Sequence, residues 1–181
     1  MRLASAEPFV LLDRDGVLNV DLPGSVNSLR EMALIPRAAE AVALLNRKGC
    51  RVLVATNQAC VGRGQLSRET LEEIHREMDA QIAAVGGKID EWFVCAHRAE
   101  EHCACRKPKP GLLLEAAQRY GFDLATTWFV GDSGRDVEAA LAAGCRPALV
   151  LTGKGETARR EHLELPVFDD LLAFAQAFPS I

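Results

Sequence analysis

The amino-acid sequence predicts an α/β fold, a Rossmann-like three-layer sandwich in which a mostly parallel central sheet lies between two layers of helices. Two observations predict this class: short apolar runs alternate with helical patterns along the chain, and the runs end at polar residues. Such alternation implies right-handed crossover connections. Binding sites then form at the carboxyl ends of the strands.

The first half of the chain predicts two strands and two helices. FVLL at 9–12 is a short apolar run that stops at an acidic turn, and residues 37–48 place apolar side chains on one helical face before a glycine. RVLVAT at 51–56 predicts the second strand. Ser67 then caps a helix whose apolar side chains recur at helical spacing as far as Val85.

The second half repeats the pattern. IDEWFVC at 89–95 and WFVGD at 128–132 predict the third and fourth strands, and helices are predicted around 113–120 and 136–143. The apolar PALVL follows, and then a weak strand at PVF and a closing helix. Because no repeat, linker or low-complexity stretch interrupts the alternation, we expect one domain over residues 1–181.

Composition narrows the classes of function. The 181 residues are 49% hydrophobic and 25% charged, which is ordinary for a globular protein, and the formal net charge of −4 disfavours a dedicated nucleic-acid binder. The first apolar run is too short for a signal sequence or a membrane span. We therefore expect a cytoplasmic monomer that binds a small molecule and neither nucleic acid nor membrane.

Acidic residues follow two of the predicted strands. Asp13 and Asp15 come after the first strand and Asp132 after the fourth, so three carboxylates are expected to converge at one crevice. Hard oxygen ligands of this kind suit Mg²⁺ together with a phosphate. Thr56 and Asn57, after the second strand, can donate hydrogen bonds to phosphate oxygens. Each pattern alone is more often a turn or a helix cap, and their common position at strand ends favours a site.

These motifs together resemble one family. DRDGVLN, ATN, RKPKPG and VGDSGRD, within residues 9–136, resemble the haloacid dehalogenase-like phosphatases, and most closely the small branch without a cap domain that contains heptose-bisphosphate and histidinol-phosphate phosphatases. The resemblance implies that Asp13 is the nucleophile and Asp15 the general acid and base. It also implies that Asp13, Asp132 and the backbone carbonyl of Asp15 hold Mg²⁺, while Thr56 and Lys107 bind the transferring phosphoryl group.

A loop rich in soft ligands precedes Lys107. Cys95, His97, Cys103 and Cys105 supply three thiolates and one imidazole, a set that suits tetrahedral structural zinc, and the resemblance implies the same four ligands. His102 is an alternative ligand, and a reduced loop with incidental thiols is the alternative to a metal site. A closed four-ligand site would make the loop rigid.

The resemblance also implies the substrate contacts. Arg106 is expected to bind the distal part of the substrate, where its planar donors suit a second phosphate. Asp21 is expected to contact sugar hydroxyls, although a turn-capping aspartate would look the same. Asn57 and Gln58 are expected to bind substrate in the crevice, within a 57–64 loop (NQACVGRG) that departs from the family's usual Ser-Gly pair.

These expectations define a function and its alternatives. The expected activity is magnesium-dependent hydrolysis, through an aspartyl-phosphate, of the 7-phosphate of a heptose 1,7-bisphosphate on the route to nucleotide-activated heptose for lipopolysaccharide. A histidinol-phosphate phosphatase is the alternative with the same mechanism. A zinc-stabilised phosphate-binding module without turnover is the alternative of another class.

Overall fold

The computed structural model describes residues 7–179 and contains a six-stranded sheet in which every neighbouring pair of strands is parallel. The strands are β1 (Phe9–Leu12), β2 (Arg51–Asn57), β3 (Glu91–Cys95), β4 (Trp128–Gly131), β5 (Arg146–Val150) and β6 (Val167–Phe168). Their spatial order is β3-β2-β1-β4-β5-β6, so the chain builds the sheet in one direction from β1 and then in the other from β4. The predicted domain boundaries, 1 and 181, lie outside the described residues.

Helices connect the strands as the sequence predicts. They are α1 (Ala38–Arg47), α2 (Ala59–Gly62), α3 (Arg68–Ala84), α4 (Gly111–Tyr120), α5 (Gly134–Ala143), α6 (Gly155–Glu161) and α7 (Leu171–Ala177). The predicted cap of α3 is confirmed, since the Ser67 side chain accepts a hydrogen bond from the Thr70 N–H. The short α2 and α6 are not predicted, because four and seven residues do not establish a helical period. Among residues 7–179, no helix has both the length and the apolar character that crossing a bilayer requires.

Both faces of the sheet are covered. On β1, Val10 and Leu12 pack into a cluster with residues of α1, α3 and α7. Phe9 and Leu11 face the opposite side and pack with residues of α4 and α5. This burial on both faces explains why the strands read as continuous apolar runs, without the alternation of a half-exposed sheet.

The carboxyl edge of the sheet has little covering structure. Between β1 and α1, the described chain contains no helix or strand, only isolated bridges that join Asn19 to Asp15 and to Leu34. Between β3 and α4 it contains a single 3₁₀ turn, Ala99–Glu101. In the part of the chain that the structure describes, no inserted helical unit therefore stands over this edge.

Lys48 fastens α7 to the end of α1. Its ammonium donates hydrogen bonds to the carbonyls of Ala175 (2.9 Å) and Gln176 (3.0 Å), and also to that of Phe178. These carbonyls lie at the C-terminal end of α7, where a cation also interacts favourably with the helix dipole.

We expect Lys48→Met to lower the free energy of unfolding by about 1–2 kcal/mol, because the carbonyls lose a charged donor. Urea denaturation measures this change. Arg47→Met, which removes the same charge from an exposed neighbouring position, is the matched control and should change stability by less than about 0.5 kcal/mol. Equal effects of the two substitutions would contradict a specific role for the Lys48 contacts.

Candidate active site

The candidate active site lies at the carboxyl edge of the sheet, between β1 and β4, where the strand order reverses. This is the position at which open parallel sheets form ligand sites. A cavity of about 250 Å³ opens here. Its charged lining comprises five acidic and five basic side chains: Asp13, Asp15, Asp21, Asp132, Asp136, Arg63, Arg106, Lys107, Arg135 and Lys154.

Three buried carboxylates meet on the floor of the cavity. Asp13 follows β1, Asp132 follows β4 and Asp136 lies in the first turn of α5, and each offers an oxygen within 4.8 Å of the others. Gly16, at φ 82°, turns the chain over this cluster, and a Cβ at that position would collide with the Asp132 carboxylate. The close approach explains why glycine is needed at this turn.

Asp13, Asp15 and Asp132 all line this one crevice, but the compact carboxylate cluster within it contains Asp136 and not the side chain of Asp15. The side chains of Asp13 and Asp15 would point the same way only if the strand continued past Asp13. The strand in fact ends at Leu12, and the backbone turns so that the Arg14 carbonyl accepts hydrogen bonds from later N–H groups. Two residues in a tight turn do not share the face that they would share in a strand.

The carboxylate of Asp15 is fixed by neutral and cationic donors. Arg14 donates to its Oδ1 at 2.8 Å, Asn19 donates to the same atom at 2.9 Å, and Gln58 donates to Oδ2 at 2.8 Å. Burial raises the pKa of Asp15, but the Arg14 guanidinium and these hydrogen bonds outweigh burial and lower the pKa from its usual value. Asp15 lines the cavity, so a positioned carboxylate faces whatever the cavity binds.

Lys107 bridges two carboxylates of the cluster. Its buried ammonium lies 2.7 Å from Asp13 and 2.7 Å from Asp136, and it donates to the Ala55 carbonyl at 2.9 Å. Burial opposes the charged form, but the two carboxylates outweigh it and raise the pKa of Lys107. The lysine therefore remains a cation and places one positive charge at the floor of the cavity.

Asn57 holds the backbone of Lys107. Its Oδ1 accepts a hydrogen bond from the Lys107 N–H and its Nδ2 donates to the Lys107 carbonyl, both at 3.0 Å. Asn57 ends β2 and pairs in register with Cys95, the last residue of β3. The amide therefore joins the end of β2 to the segment that follows the cysteine-rich loop.

Thr56 and Gln58 occupy different positions relative to the cavity. The Thr56 side chain lines the cavity, and its Oγ1 accepts a hydrogen bond from Gln58 at 2.8 Å. Gln58 is 1% exposed and lies behind Thr56 and Asp15, outside the described cavity lining. Its amide is engaged with these two side chains, so its predicted position against a substrate does not match the geometry.

The charge balance of the carboxylate cluster suits a divalent cation. Burial, reinforced by the charge of Asp136, raises the pKa of Asp13 well above its usual value, and the same two causes raise the pKa of Asp132 to about 7. Within residues 7–179, the three carboxylates of the cluster have one cationic side chain in ion-pair contact, Lys107, which touches Asp13 and Asp136. Hard oxygen donors with excess negative charge form the kind of site that binds Mg²⁺.

Basic side chains surround the mouth of the cavity. Arg106 lines it, as predicted, and donates to the His97 carbonyl at 3.3 Å. Asp21 also lines it and forms an ion pair with Lys154, whose N–H donates to Asp132 at 2.8 Å. The sequence patterns do not predict the further lining residues Arg63, Arg135, Asp136 and Lys154. Arg135 and Asp136 are the RD of the motif VGDSGRD, which is the only sequence signal for them. Arg63 and Lys154 reach the cavity through tertiary structure alone.

The four predicted soft ligands come together beside this cavity. The Sγ atoms of Cys95, Cys103 and Cys105 lie 3.2–3.7 Å apart, and the His97 Nδ1 lies 3.2 Å from Cys105 and 3.7 Å from Cys95. Thiolates bound tetrahedrally to one zinc ion lie about 3.8 Å apart, so the spacing fits this metal. Among the described residues His102, the alternative ligand, is not part of this group. The cluster can hold a metal ion with no position left for water.

The chain is similar in sequence to a group of phosphatases. The HAD-hydrolase-like family model matches residues 104–174. The D-glycero-beta-D-manno-heptose-1,7-bisphosphate 7-phosphatase of Pseudomonas putida is 44% identical over 169 residues, which cover 92% of this chain and 97% of that protein. The protein of the same name from Escherichia coli K12 is 33% identical over 183 residues, covering 97% and 95%.

A solved structure shares the whole architecture. The crystal structure of D,D-heptose 1,7-bisphosphate phosphatase from B. bronchiseptica, complexed with magnesium and phosphate, aligns with a TM-score of 0.91 at 41% sequence identity. The alignment covers 93% of this chain and 96% of that one.

Proposed function

Since the chain belongs to the haloacid dehalogenase-like phosphatases, and among them to the family of the heptose-1,7-bisphosphate 7-phosphatases, we propose that it hydrolyses the 7-phosphate of D-glycero-D-manno-heptose 1,7-bisphosphate. The product would serve the synthesis of ADP- or GDP-heptose. The observation that carries the proposal is the contact of Lys107 with Asp13 and Asp136, 2.7 Å from each, at the floor of a cavity with a basic rim.

Two carboxylates divide the chemistry between them. Asp13 attacks phosphorus and forms an aspartyl-phosphate, which splits the hydrolysis into two easier steps. Asp15 donates a proton to the departing sugar oxygen and then takes one from the water that cleaves the intermediate. The four side-chain hydrogen bonds that Asp15 accepts, two of them from Arg14, orient its carboxylate; because they also favour the ionised form, they support above all the second step, in which Asp15 takes a proton from water.

Positive charge and hydrogen-bond donors stabilise the transferring phosphoryl group. Mg²⁺, held by Asp13, Asp132 and the backbone carbonyl of Asp15, would neutralise charge on the phosphoryl oxygens. The Lys107 ammonium and the Thr56 hydroxyl bind the same oxygens from the protein side. Asp136 is assigned to hold Lys107 in place, a task for which its buried 2.7 Å contact suits it.

Zinc is proposed as a structural ion in the cluster of Cys95, His97, Cys103 and Cys105. Lys107 lies two residues beyond the last of these ligands, and Arg106 donates to the carbonyl of His97. A metal that makes the loop rigid would therefore position both basic side chains. The closed ligand set argues for this structural role and against hydrolysis by zinc.

We assign the side chains at the mouth of the cavity to binding the part of the substrate that does not react. Arg106 and Arg63 are proposed to bind the 1-phosphate, since both line the cavity and present guanidinium donors. Asp21 is proposed to contact sugar hydroxyls together with Lys154, its ion-pair partner. We assign the chain as a cytoplasmic monomer whose described residues, 7–179, form one domain with an open site and no inserted cap.

Phosphate release from purified protein tests the proposal. Both anomers of the heptose 1,7-bisphosphate, the heptose monophosphates and histidinol phosphate are compared with and without Mg²⁺. We expect turnover of the bisphosphate that depends on Mg²⁺ and exceeds turnover of histidinol phosphate, because the rim is basic. Equal rates on the two substrates would contradict the assigned specificity. Binding of phosphate without any turnover would favour the non-catalytic module.

A further inference from the structure

Arg14, the residue between the two aspartates, is a fully buried cation. It is 0% exposed, and its Nε and Nη2 donate to the same oxygen of Asp15 at 3.3 and 2.8 Å. Its Nη1 lies 3.4 Å from Nε2 of His75, a residue of α3 that is 61 positions away in sequence. In the described part of the chain, these two residues are the only hydrogen-bond partners of the guanidinium. A buried guanidinium is stable only where its donors are satisfied, so both partners matter.

The His75 ring is itself held in a defined orientation. It stacks on Trp92 of β3, with ring centroids 4.1 Å apart and planes at 8°. The indole Nε1 in turn donates to the two carboxylate oxygens of Asp79, at 3.1 and 3.3 Å. Asp79 lies one turn after His75 on α3, so the helix that carries the imidazole also holds the indole on which the imidazole stacks.

The imidazole is neutral and its Nε2 accepts. Burial, together with the adjacent Arg14 charge, lowers the pKa of His75 to about 3. A cationic ring would face the guanidinium at 3.4 Å with no acceptor to offer. The arrangement therefore requires the tautomer with its proton on Nδ1.

We propose that His75 is a positioning residue for the reaction: by accepting a hydrogen bond from Arg14, it fixes the guanidinium that orients the Asp15 carboxylate toward the cavity. This inference rests on the proposed function, in which Asp15 transfers protons to and from substrate. The order of contacts is Trp92, His75, Arg14, Asp15, and each is recorded in the structure. Among the described residues, His75 belongs neither to the carboxylate cluster nor to the lining of this cavity.

Two variants of His75 separate the effect of its hydrogen bond with Arg14 from the effect of its packing against Trp92. His75→Phe keeps a ring against Trp92 and removes the acceptor, whereas His75→Gln offers an amide oxygen near the position of Nε2. Asp79→Asn is the matched control, because it removes a charge beside the stacked pair, keeps an oxygen that can accept from the Trp92 indole, and does not alter a contact of Arg14. Single-turnover transfer of phosphate to the enzyme is measured with heptose bisphosphate and with p-nitrophenyl phosphate, whose leaving group departs without a proton.

We expect His75→Phe to slow transfer from the heptose bisphosphate by about 10- to 100-fold, with little change in KM, because a misplaced proton donor affects kcat. Transfer from p-nitrophenyl phosphate should slow by less than about threefold, since it needs no general acid. His75→Gln should restore most of the lost rate, and Asp79→Asn should match wild type. A purely structural defect would slow both substrates equally, and that result would overturn the inference.

The wild type separates this inference from the proposed function. If wild-type protein hydrolyses a different sugar phosphate and not the heptose bisphosphate, the proposed substrate is wrong. The effect of His75→Phe is then compared between that sugar phosphate and p-nitrophenyl phosphate. If it hydrolyses none, both proposals fall. If wild type is active and His75→Phe retains its rate, only the positioning role falls.

Imidazole ¹⁵N chemical shifts test the geometry in the unaltered protein, including the case in which His75→Phe does not fold. We expect His75, assigned by difference from His75→Gln, to be neutral at pH 7 with its proton on Nδ1. A proton on Nε2, or a cationic ring, would overturn the proposed hydrogen bond.

Discussion

Replacing Asp13 by Asn is expected to reduce phosphate release by at least about 10⁴-fold, because an amide oxygen does not form the aspartyl-phosphate through which the proposed hydrolysis proceeds. The substitution keeps the shape of the side chain. It leaves Lys107 in contact with Asp136, so the floor of the cavity should persist. The measurement is phosphate release from the heptose bisphosphate, accompanied by mass spectrometry of acid-quenched enzyme to detect phosphorylated Asp13.

The fold of Asp13→Asn should remain intact. Burial and the charge of Asp136 raise the pKa of Asp13 and outweigh the opposing contact with Lys107, so an ionised carboxylate at this position is costly and a neutral amide removes that cost. We therefore expect a Tm in metal-free buffer at or above the wild-type value. Asp169→Asn makes the same change at an exposed loop position and should keep the wild-type rate. Wild-type activity in Asp13→Asn would assign the nucleophile to another group.

Removal of zinc is expected to have the largest effect on stability. Purified protein should contain one zinc ion per chain, and Cys105→Ser, or a chelator strong enough to extract the metal, should lower Tm by about 10 °C or more. Without the ion, three thiols and an imidazole crowd within 3.2–3.7 Å with nothing to bind them together. Activity should fall as well, because Lys107 follows this loop directly.

The ligand set has its own matched controls. His97→Ala should lose zinc, whereas His102→Ala should retain it, because the described cluster includes His97 and not His102. Cys50→Ala removes a thiol far from the loop in sequence and should leave the metal content at one. Zinc content is measured by elemental analysis of dialysed protein. Protein that carries no stoichiometric zinc, with Tm and activity untouched by chelation, would contradict the structural role.

Local patterns account for most of the fold. Runs such as FVLL and RVLVAT are buried on both faces, so their apolar character is continuous and marks them as strands without knowledge of their partners. Ser67 signals the start of α3 because a cap is a contact between residues three apart. The parts missed are α2 and α6, which are too short to show a period.

The residues of the candidate site also fall into those that the sequence predicts and those that it does not. Asp13 and Asp132 were predictable because a residue at the end of a parallel strand must lie at the binding edge of the sheet. The four cysteine and histidine ligands were predictable because they are close in sequence and chemically alike. In both cases, short stretches of chain contain the necessary information.

Tertiary structure alone determined which charges meet. Asp136 replaces the Asp15 carboxylate in the cluster because the chain turns after Leu12, and Lys154 reaches Asp21 from 133 residues away. Arg14 finds His75 across 61 residues. Sequence patterns define elements through periodic burial and near-neighbour contacts. Pairing of polar side chains between distant elements depends on the path of the turns and on how the helices pack, and this chain carries no local signal for either.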